Sequence, residues 1–116
     1  GAFSQVVTNL VMNSIKHGYP QGDQGQMRFW VRRDAGQVTL EYTDDGCGIT
    51  PENLSKIFEP FFTTARRGGG TGLGLHITYN LVTQKLGGTI RCESEVGQYT
   101  KFIIGLPIEA RKTSPL

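Results

Sequence analysis

The 116 residues form a chain of single-domain size, long enough to bury a hydrophobic core. Its formal net charge of +2 is close to balance and suggests neither a nucleic-acid partner nor a membrane surface. No apolar run approaches the ~20 residues of a membrane span, and no basic-then-apolar leader opens the sequence. We expect a cytoplasmic domain, whether or not the full-length protein carries a membrane anchor. Cys47 and Cys92 lie far apart in sequence, and we expect two reduced thiols that are buried as small hydrophobic side chains.

An amphipathic helix opens the chain and ends at Gly18 and Pro20. Beside its apolar face, Asn9, Asn13 and Lys16 form one polar stripe, because residues four and seven apart lie on the same side of a helix. Such a stripe is either a solvated edge or one wall of a binding site, and for a generic helix the solvated edge is the commoner case. The apolar positions recur at the spacing of one helical face: Phe3, Val6, Val7, Leu10, Val11 and Ile15.

Residues 27–32 and 38–43 alternate apolar and polar side chains and are joined by a turn at residues 34–36. The pattern predicts an antiparallel hairpin with one buried face. This hairpin brings Asp44 to the end of a strand, where the chain turns through Gly46 and Gly48. A carboxylate at that place either caps the turn or faces a ligand.

The next segment reads as a short helix followed by a long connection. Thr50 is a predicted N-cap, Pro51 is the first helical residue and Glu52 lies in the first turn, which predicts a helix through Phe58. Residues 59–67 then form a connection that leads into a glycine-rich run. A connection of this length between two helices more often has a function than serves only to join them.

Residues 68–75 read GGGTGLGL, and five of these eight residues are glycine. The segment directly behind them, His76 to Leu86, is spaced like an amphipathic helix. Glycine allows close backbone approach to a phosphate, and the first N–H groups of a helix have no carbonyl partners. The run therefore predicts an anion-binding loop, and the alternative is a mobile surface loop.

The remaining residues predict two strands and a tail. Gly87 and Gly88 end the preceding helix, and two strands around residues 90–92 and 102–106 meet near Gly97. Residues 109–116 are polar, without periodicity, and read as a tail or linker. The order of elements favours an α+β sandwich, with helices on one face of a largely antiparallel sheet.

Four segments, in order, carry a family resemblance that spans nearly the whole chain. Residues 9–18 resemble the N box of sensor histidine kinases, residues 44–49 the G1 box, residues 57–62 the F box and residues 70–75 the G2 box. The chain is thus similar to the catalytic, ATP-binding domain of a bacterial two-component histidine kinase, within the GHKL superfamily. The resemblance implies the Bergerat fold, a two-layer α+β sandwich with a mostly antiparallel mixed sheet, over residues 1–108.

The resemblance also implies a role for individual residues. Asp44 would accept a hydrogen bond from the adenine amino group, and Asn13 would bind Mg²⁺ through its amide oxygen. Lys16 would reach the phosphates of ATP as a point charge. Thr100 would lie behind the adenine and support Asp44. The full set of nucleotide-contacting residues would be Asn9, Asn13, Lys16, His17, Asp44, Gly46, Gly48, Ile49, Gly70, Thr71, Gly72, Leu73, Gly74, Leu75 and Thr100.

Two further expectations come from the family. Residues 59–70 would form a mobile ATP lid, in which Arg66 or Arg67 touches phosphate. The family places a strand before the first helix, and this sequence lacks it, so we expect a sheet short of one edge strand. Tyr99 stands where the family often has glycine.

The function implied is transfer of the γ-phosphate of ATP to a histidine of a separate dimerisation and phosphoacceptor domain of the same protein. A response regulator receiver domain would be the next partner, with no nucleic acid and no direct membrane contact by this domain. His17 is followed by glycine and His76 by isoleucine, so neither matches the phosphoacceptor motif. No catalytic acid or base is assigned to this chain.

Two alternatives belong to other functional classes. GHKL ATPases, such as those of type II topoisomerases and chaperones, place a glutamate four residues before the metal-binding asparagine, to activate water. Asn9 occupies that position here, and an amide is not a general base. The second alternative is a nucleotide-binding module without transfer activity.

Overall fold

The computed structural model describes residues 1–19, 24–62 and 74–108. The predicted phosphate-contacting residues Gly70, Thr71, Gly72 and Leu73, both arginines of the predicted lid and the tail at 109–116 lie outside these ranges. The elements in chain order are α1 (Ala2–Asn13), which continues as a π-helical turn (Ser14–Gly18), β1 (Met27–Asp34), β2 (Gln37–Asp44), α2 (Pro51–Leu54), α3 (Gly74–Asn80), which continues as a π-helical turn (Leu81–Lys85), β3 (Thr89–Glu95) and β4 (Tyr99–Pro107).

The four strands form one sheet in the order β1-β2-β4-β3, and all three pairings are antiparallel. Tyr42 lies opposite Phe102 and Asp44 lies opposite Thr100 in the β2–β4 register. The α1 and α3 helices contact each other and cover one face of this sheet. The predicted α+β class, with helices on one face, is confirmed.

The core lies between the helices and the two central strands. Burial of one large apolar side chain contributes about 1.5–3 kcal/mol to the free energy of unfolding, so the few residues of this core dominate the stability of the domain. The described core residues are Val6 and Leu10 of α1, Leu40 and Tyr42 of β2, Ile57, Val82, and Phe102 and Ile104 of β4.

The edge strand β1 differs from the prediction. Its apolar residues Met27, Phe29 and Val31 were expected on a buried face, yet all eight residues of β1 are exposed, with Val31 at 66 %. Phe29 packs against Tyr42 with ring centroids 4.7 Å apart, but the helices lie above the central strands. The expectation of a buried face therefore holds for β2 and is wrong for β1.

The helix ends follow local chemistry. Thr50 caps α2 by accepting a hydrogen bond from Asn53 N–H at 3.3 Å, as expected for an N-cap. The α2 helix stops at Leu54 and not at Phe58, because the N–H groups of Lys56 and Glu59 bond to carbonyls three residues back. Gly87, with φ of 68°, ends the helical segment after α3 as predicted.

Within the described ranges, no helix combines the length and the apolar character needed to cross a lipid bilayer.

Candidate functional site

A cavity of about 370 Å³ opens between α1, the turn after β2, α2 and the start of α3. The predicted polar stripe of α1 lies along one of its walls, because helical spacing places these side chains on one side. The polar side chains of the lining are Asn9, Asn13, Lys16, His17, Cys47, Thr50 and Asn53. The remaining lining residues are Met12, Gly48, Ile49, Ile57, Phe62, Gly74 and Leu75.

Asp44 does not itself line the cavity and is only 2 % exposed. Gly18 and Gly46, which lie against its carboxylate, directly adjoin the lining residues His17 and Cys47 in the chain. Asp44 Oδ2 accepts a hydrogen bond from Ser14 Oγ at 2.6 Å, and Oδ1 accepts one from the backbone N–H of Gly46 at 3.0 Å. A Cβ placed on Gly18 would lie 3.3 Å from Asp44 Oδ2, so the π-helical turn after α1 passes directly over the carboxylate. The carboxylate is thus fixed from two sides next to the cavity.

Sequence reasoning missed Ser14. This serine lies four residues after Leu10 and eight after Val6, on the buried face of α1, and is 1 % exposed. A hydroxyl on a buried helical face must find a hydrogen-bond partner, so its position was a usable signal. The identity of that partner depends on tertiary contacts that the sequence pattern does not give.

The glycines of the turn after β2 are required by close backbone packing. A Cβ on Gly46 would overlap the backbone of Gly18. Gly48 has φ of 77°, and a Cβ there would overlap the carbonyl oxygen of Glu95. Hydrogen bonds from Cys47 N to Gly18 O (2.9 Å) and from Gly97 N to Cys47 O (2.8 Å) hold the turn between the π-helical turn after α1 and the β3–β4 connection.

Thr100 and Ile49 are joined through Ser94. Thr100 is buried, and its Oγ1 lies 3.2 Å from Ser94 Oγ. Ile49 N–H donates to the same Ser94 Oγ at 2.8 Å. Ile49 lines the cavity, whereas Asp44, Gly46 and Thr100 do not. Ser94 is a second residue that the sequence motifs did not indicate.

Asn9 connects α1 to the first turn of α3. Its Nδ2 donates to Thr78 Oγ1 at 3.1 Å and to the Gly74 carbonyl at 3.4 Å, and Gln5 Nε2 donates to its Oδ1 at 2.8 Å. Thr78, which is fully buried, donates to the same Gly74 carbonyl at 2.8 Å. Both ends of the Asn9 amide are therefore engaged within the protein at the edge of the cavity.

The side chains that line the cavity carry either a positive charge or no charge. Burial, followed by the charge of Lys16, lowers the pKa of His17, so its imidazole is mostly neutral at pH 7. Lys16 then supplies the positive charge, and the lining contributed by the described residues contains no carboxylate. These features suit a polyanionic ligand.

The residues present fit a metal ion only in combination with an anion. No group of three His, Cys, Asp or Glu side chains that could hold a metal occurs among the described residues. Asn13 offers a neutral amide oxygen, which is a ligand that Mg²⁺ accepts. The charge of the cation would have to be balanced by a bound phosphate.

Cys47 is exposed, contrary to the expectation of two buried thiols, because it lies in the surface turn between Gly46 and Gly48. Its Sγ donates to the His17 carbonyl at 3.0 Å, and it lines the cavity. Cys92 is half-buried, and burial, with smaller contributions from Asp44 and Glu93, raises its pKa to about 12. Both cysteines are free, as expected.

Comparison with known proteins places this arrangement in a family. The sequence profile of the histidine kinase-, DNA gyrase B- and HSP90-like ATPases matches residues 1–110. The chain belongs to this family. Proteins similar to this chain include the sensor kinase CckA of Brucella abortus, which is 41 % identical over 92 % of this chain and 12 % of that protein. The sensor histidine kinase ZraS of Escherichia coli K12 is 36 % identical over 97 % of this chain and 23 % of that protein.

Solved structures agree with the sequence comparison. The nucleotide-free catalytic domain of the histidine kinase ThkA is 33 % identical and superposes with a TM-score of 0.76 over 92 % of this chain and 66 % of that one. Full-length ShkA in complex with AMPPNP gives a TM-score of 0.77 at 29 % identity, over 92 % of this chain and 21 % of that one. The chain spans about an eighth of the length of CckA and about a quarter of the length of ZraS.

Proposed function

We propose that this domain binds ATP with Mg²⁺ and donates the γ-phosphate to a histidine on a separate dimerisation and phosphoacceptor domain. The observation that carries the proposal is the fixed Asp44 carboxylate beside a cavity whose lining includes Asn13 and Lys16. Family membership and the similarity to sensor histidine kinases support it. The receiver domain of a response regulator would accept the phosphoryl group next, in the cytoplasm, where ATP is available.

In this proposal each residue binds or orients the nucleotide. Asp44 accepts a hydrogen bond from the adenine amino group, and Lys16 contacts the phosphates. Asn13 holds Mg²⁺, which, when bound, neutralises part of the phosphate charge. By the family resemblance, residues 70–75 would contact the phosphates through backbone N–H groups. Full-length ShkA, a similar protein, has been solved in complex with AMPPNP.

The environment of Asn9 favours transfer over hydrolysis. Hydrolytic members of the superfamily need a carboxylate at this position to activate water, whereas Asn9 is an amide with hydrogen bonds to Thr78, Gly74 and Gln5. Transfer to a histidine requires positioning and charge stabilisation, and the acceptor nitrogen is itself the nucleophile. Slow hydrolysis by the isolated domain is therefore expected.

The first experiment is calorimetric titration of ATP and ADP, with and without Mg²⁺, into the wild type and Asp44→Asn. Loss of the anionic acceptor is expected to weaken binding by about tenfold to a hundredfold, as for hydrogen bonds to charged groups. Glu41→Gln is the matched control, since it neutralises a half-buried carboxylate in the same strand on the opposite face of the sheet. Equal binding by wild type and folded Asp44→Asn would refute the adenine assignment.

The transfer step is tested by adding the phosphoacceptor domain and labelled ATP to this domain. Acid-labile, alkali-stable phosphate should appear on the acceptor histidine and should be absent when that histidine is replaced. Absence of labelling, with ATP bound, would leave a nucleotide-binding module and refute the kinase proposal.

A further inference from the structure

Three buried side chains form a continuous line of hydrogen bonds beneath the cavity. Tyr42 and Ser14 are 0 % and 1 % exposed, and their hydroxyl oxygens lie 2.7 Å apart. Ser14 Oγ lies 2.6 Å from Asp44 Oδ2. The line joins the π-helical turn after α1 to the end of β2.

The direction of these hydrogen bonds follows from the number of protons. Ser14 has one hydroxyl proton and donates it to the carboxylate of Asp44, so the Tyr42 phenol must donate to Ser14. Burial raises the pKa of Tyr42, an effect that outweighs its hydrogen bond to Ser14, so the phenol keeps its proton at neutral pH. Tyr42 thereby fixes the rotation of the Ser14 hydroxyl, which in turn fixes one oxygen of Asp44.

The second oxygen of Asp44 is fixed independently. Oδ1 accepts from the N–H of Gly46 in the turn that directly follows β2. With one donor on each oxygen, the plane of the carboxylate is determined, and each oxygen keeps acceptor capacity for a ligand. A fixed acceptor needs no reorganisation when a donor arrives.

We propose that Ser14 and Tyr42 are positioning residues that orient Asp44 and so set the preference of the site for a purine with a 6-amino group. The inference rests on the proposed function, because it assumes that the base contacts Asp44. A fixed, buried carboxylate discriminates against a base that lacks the donor, since the acceptor capacity that remains on its oxygens is then shut off from water without gaining a partner. A carboxylate that can rotate away discriminates less.

The test compares ATP with the triphosphate of purine riboside, which lacks the 6-amino group, by calorimetry. The wild type should bind ATP more tightly, and the double variant Ser14→Ala/Tyr42→Phe should reduce this preference about tenfold, the usual worth of a hydrogen bond to a charged group. The double variant removes both hydroxyls and leaves no orphaned phenol in the core. Its affinity for the purine riboside triphosphate should change little.

Thr39→Val is the matched control, because it removes a buried hydroxyl on the opposite face of the sheet and should leave both affinities unchanged. The single variants Ser14→Ala and Tyr42→Phe keep the test available if the double variant does not fold by circular dichroism. A loss that is equal for the two nucleotides, or an unchanged preference, overturns the positioning role and leaves the proposed function intact. Absence of nucleotide binding by the folded wild type overturns both.

Discussion

The two thiols of this chain differ in exposure, and the reactivity of the exposed one reports on whether the cavity is occupied. Cys47 is exposed and lines the cavity, whereas the pKa of Cys92 is raised to about 12. Because the thiolate is the nucleophile, Cys92 becomes reactive only as the pH rises toward that value. At pH 8, iodoacetamide should therefore modify Cys47 well before Cys92, as followed by mass spectrometry of the peptides.

Bound nucleotide should slow the modification of Cys47 and leave Cys92 unaffected. Cys47→Ser, in which only the slow thiol remains, is the control for the assignment of the two rates. If saturating ATP, verified by calorimetry, does not change the rate at Cys47, the nucleotide occupies another place and the cavity assignment is wrong.

At the scale of residues, some residues of the site could be predicted from the sequence and others could not. Asp44 could be singled out because it begins the segment that resembles the G1 box, whereas its place at a strand end left a turn cap equally open. Ser14 could be noticed from its place on the buried helical face, but its partner could not be predicted, and Ser94 gave no signal. A serine in a helix or strand pattern gives no information about the side chain it meets in the folded chain. Cys47 was expected to be buried from the average behaviour of cysteine, and the exposed turn overrides that average.

At the scale of elements, the turn after β2 gives a prediction about glycine. Gly48 and Gly97 both have a positive φ, but only Gly48 has backbone atoms where a Cβ would stand. Gly97→Ala should lower the free energy of unfolding by about 1–2 kcal/mol, the cost of a left-handed residue. Gly48→Ala should cost about 1–3 kcal/mol more, because the turn must also move away from Glu95.

Denaturation in urea measures the free energy of unfolding of both variants. Equal losses for the two would show that the turn relaxes freely and that the contact with Glu95 contributes nothing. A greater loss for Gly97→Ala would contradict the packing described for Gly48.

The position of the elements was more predictable than their ends. The 3.6-residue periodicity indicated α1 and the helical segment after Gly74, and the alternating patterns indicated the four strands. The end of α2 was wrong by four residues, because Ser55 Oγ bonds to the Glu52 carbonyl and the following N–H groups reach back only three residues. Such local competition leaves no trace in a hydrophobic pattern.

At the scale of the whole molecule, stability should be concentrated in the central strands. Phe102 is fully buried under the helices, whereas Trp30 on β1 is 67 % exposed. Phe102→Ala should lower the free energy of unfolding by about 3–5 kcal/mol, as for other buried aromatic residues. Trp30→Ala should change it by about 0.5 kcal/mol or less, as for a surface position.

Urea denaturation followed by circular dichroism compares the two variants, because this signal does not depend on Trp30, the single tryptophan of the chain. A loss at Trp30 as large as that at Phe102 would mean that β1 is covered in solution.

The two-layer architecture could be predicted from the order of elements, but the extent of the helical layer could not. β1 and β2 show the same alternation of apolar and polar residues, and only β2 is buried. Coverage depends on where α1 and α3 pack, which is a property of the complete fold and not of either strand.

The uncovered β1 strand also affects how the molecules behave toward one another. Its outer edge pairs with no other described strand and exposes Trp30 and Val31, a combination that favours strand-to-strand aggregation. The same strand carries Arg28, Arg32 and Arg33 against one carboxylate, Asp34, which pairs with Arg32 at 3.2 Å, so two copies brought edge to edge would meet with a net positive charge on each. The net positive charge of this one strand therefore opposes self-association of the domain, and salt that screens the charge weakens that protection.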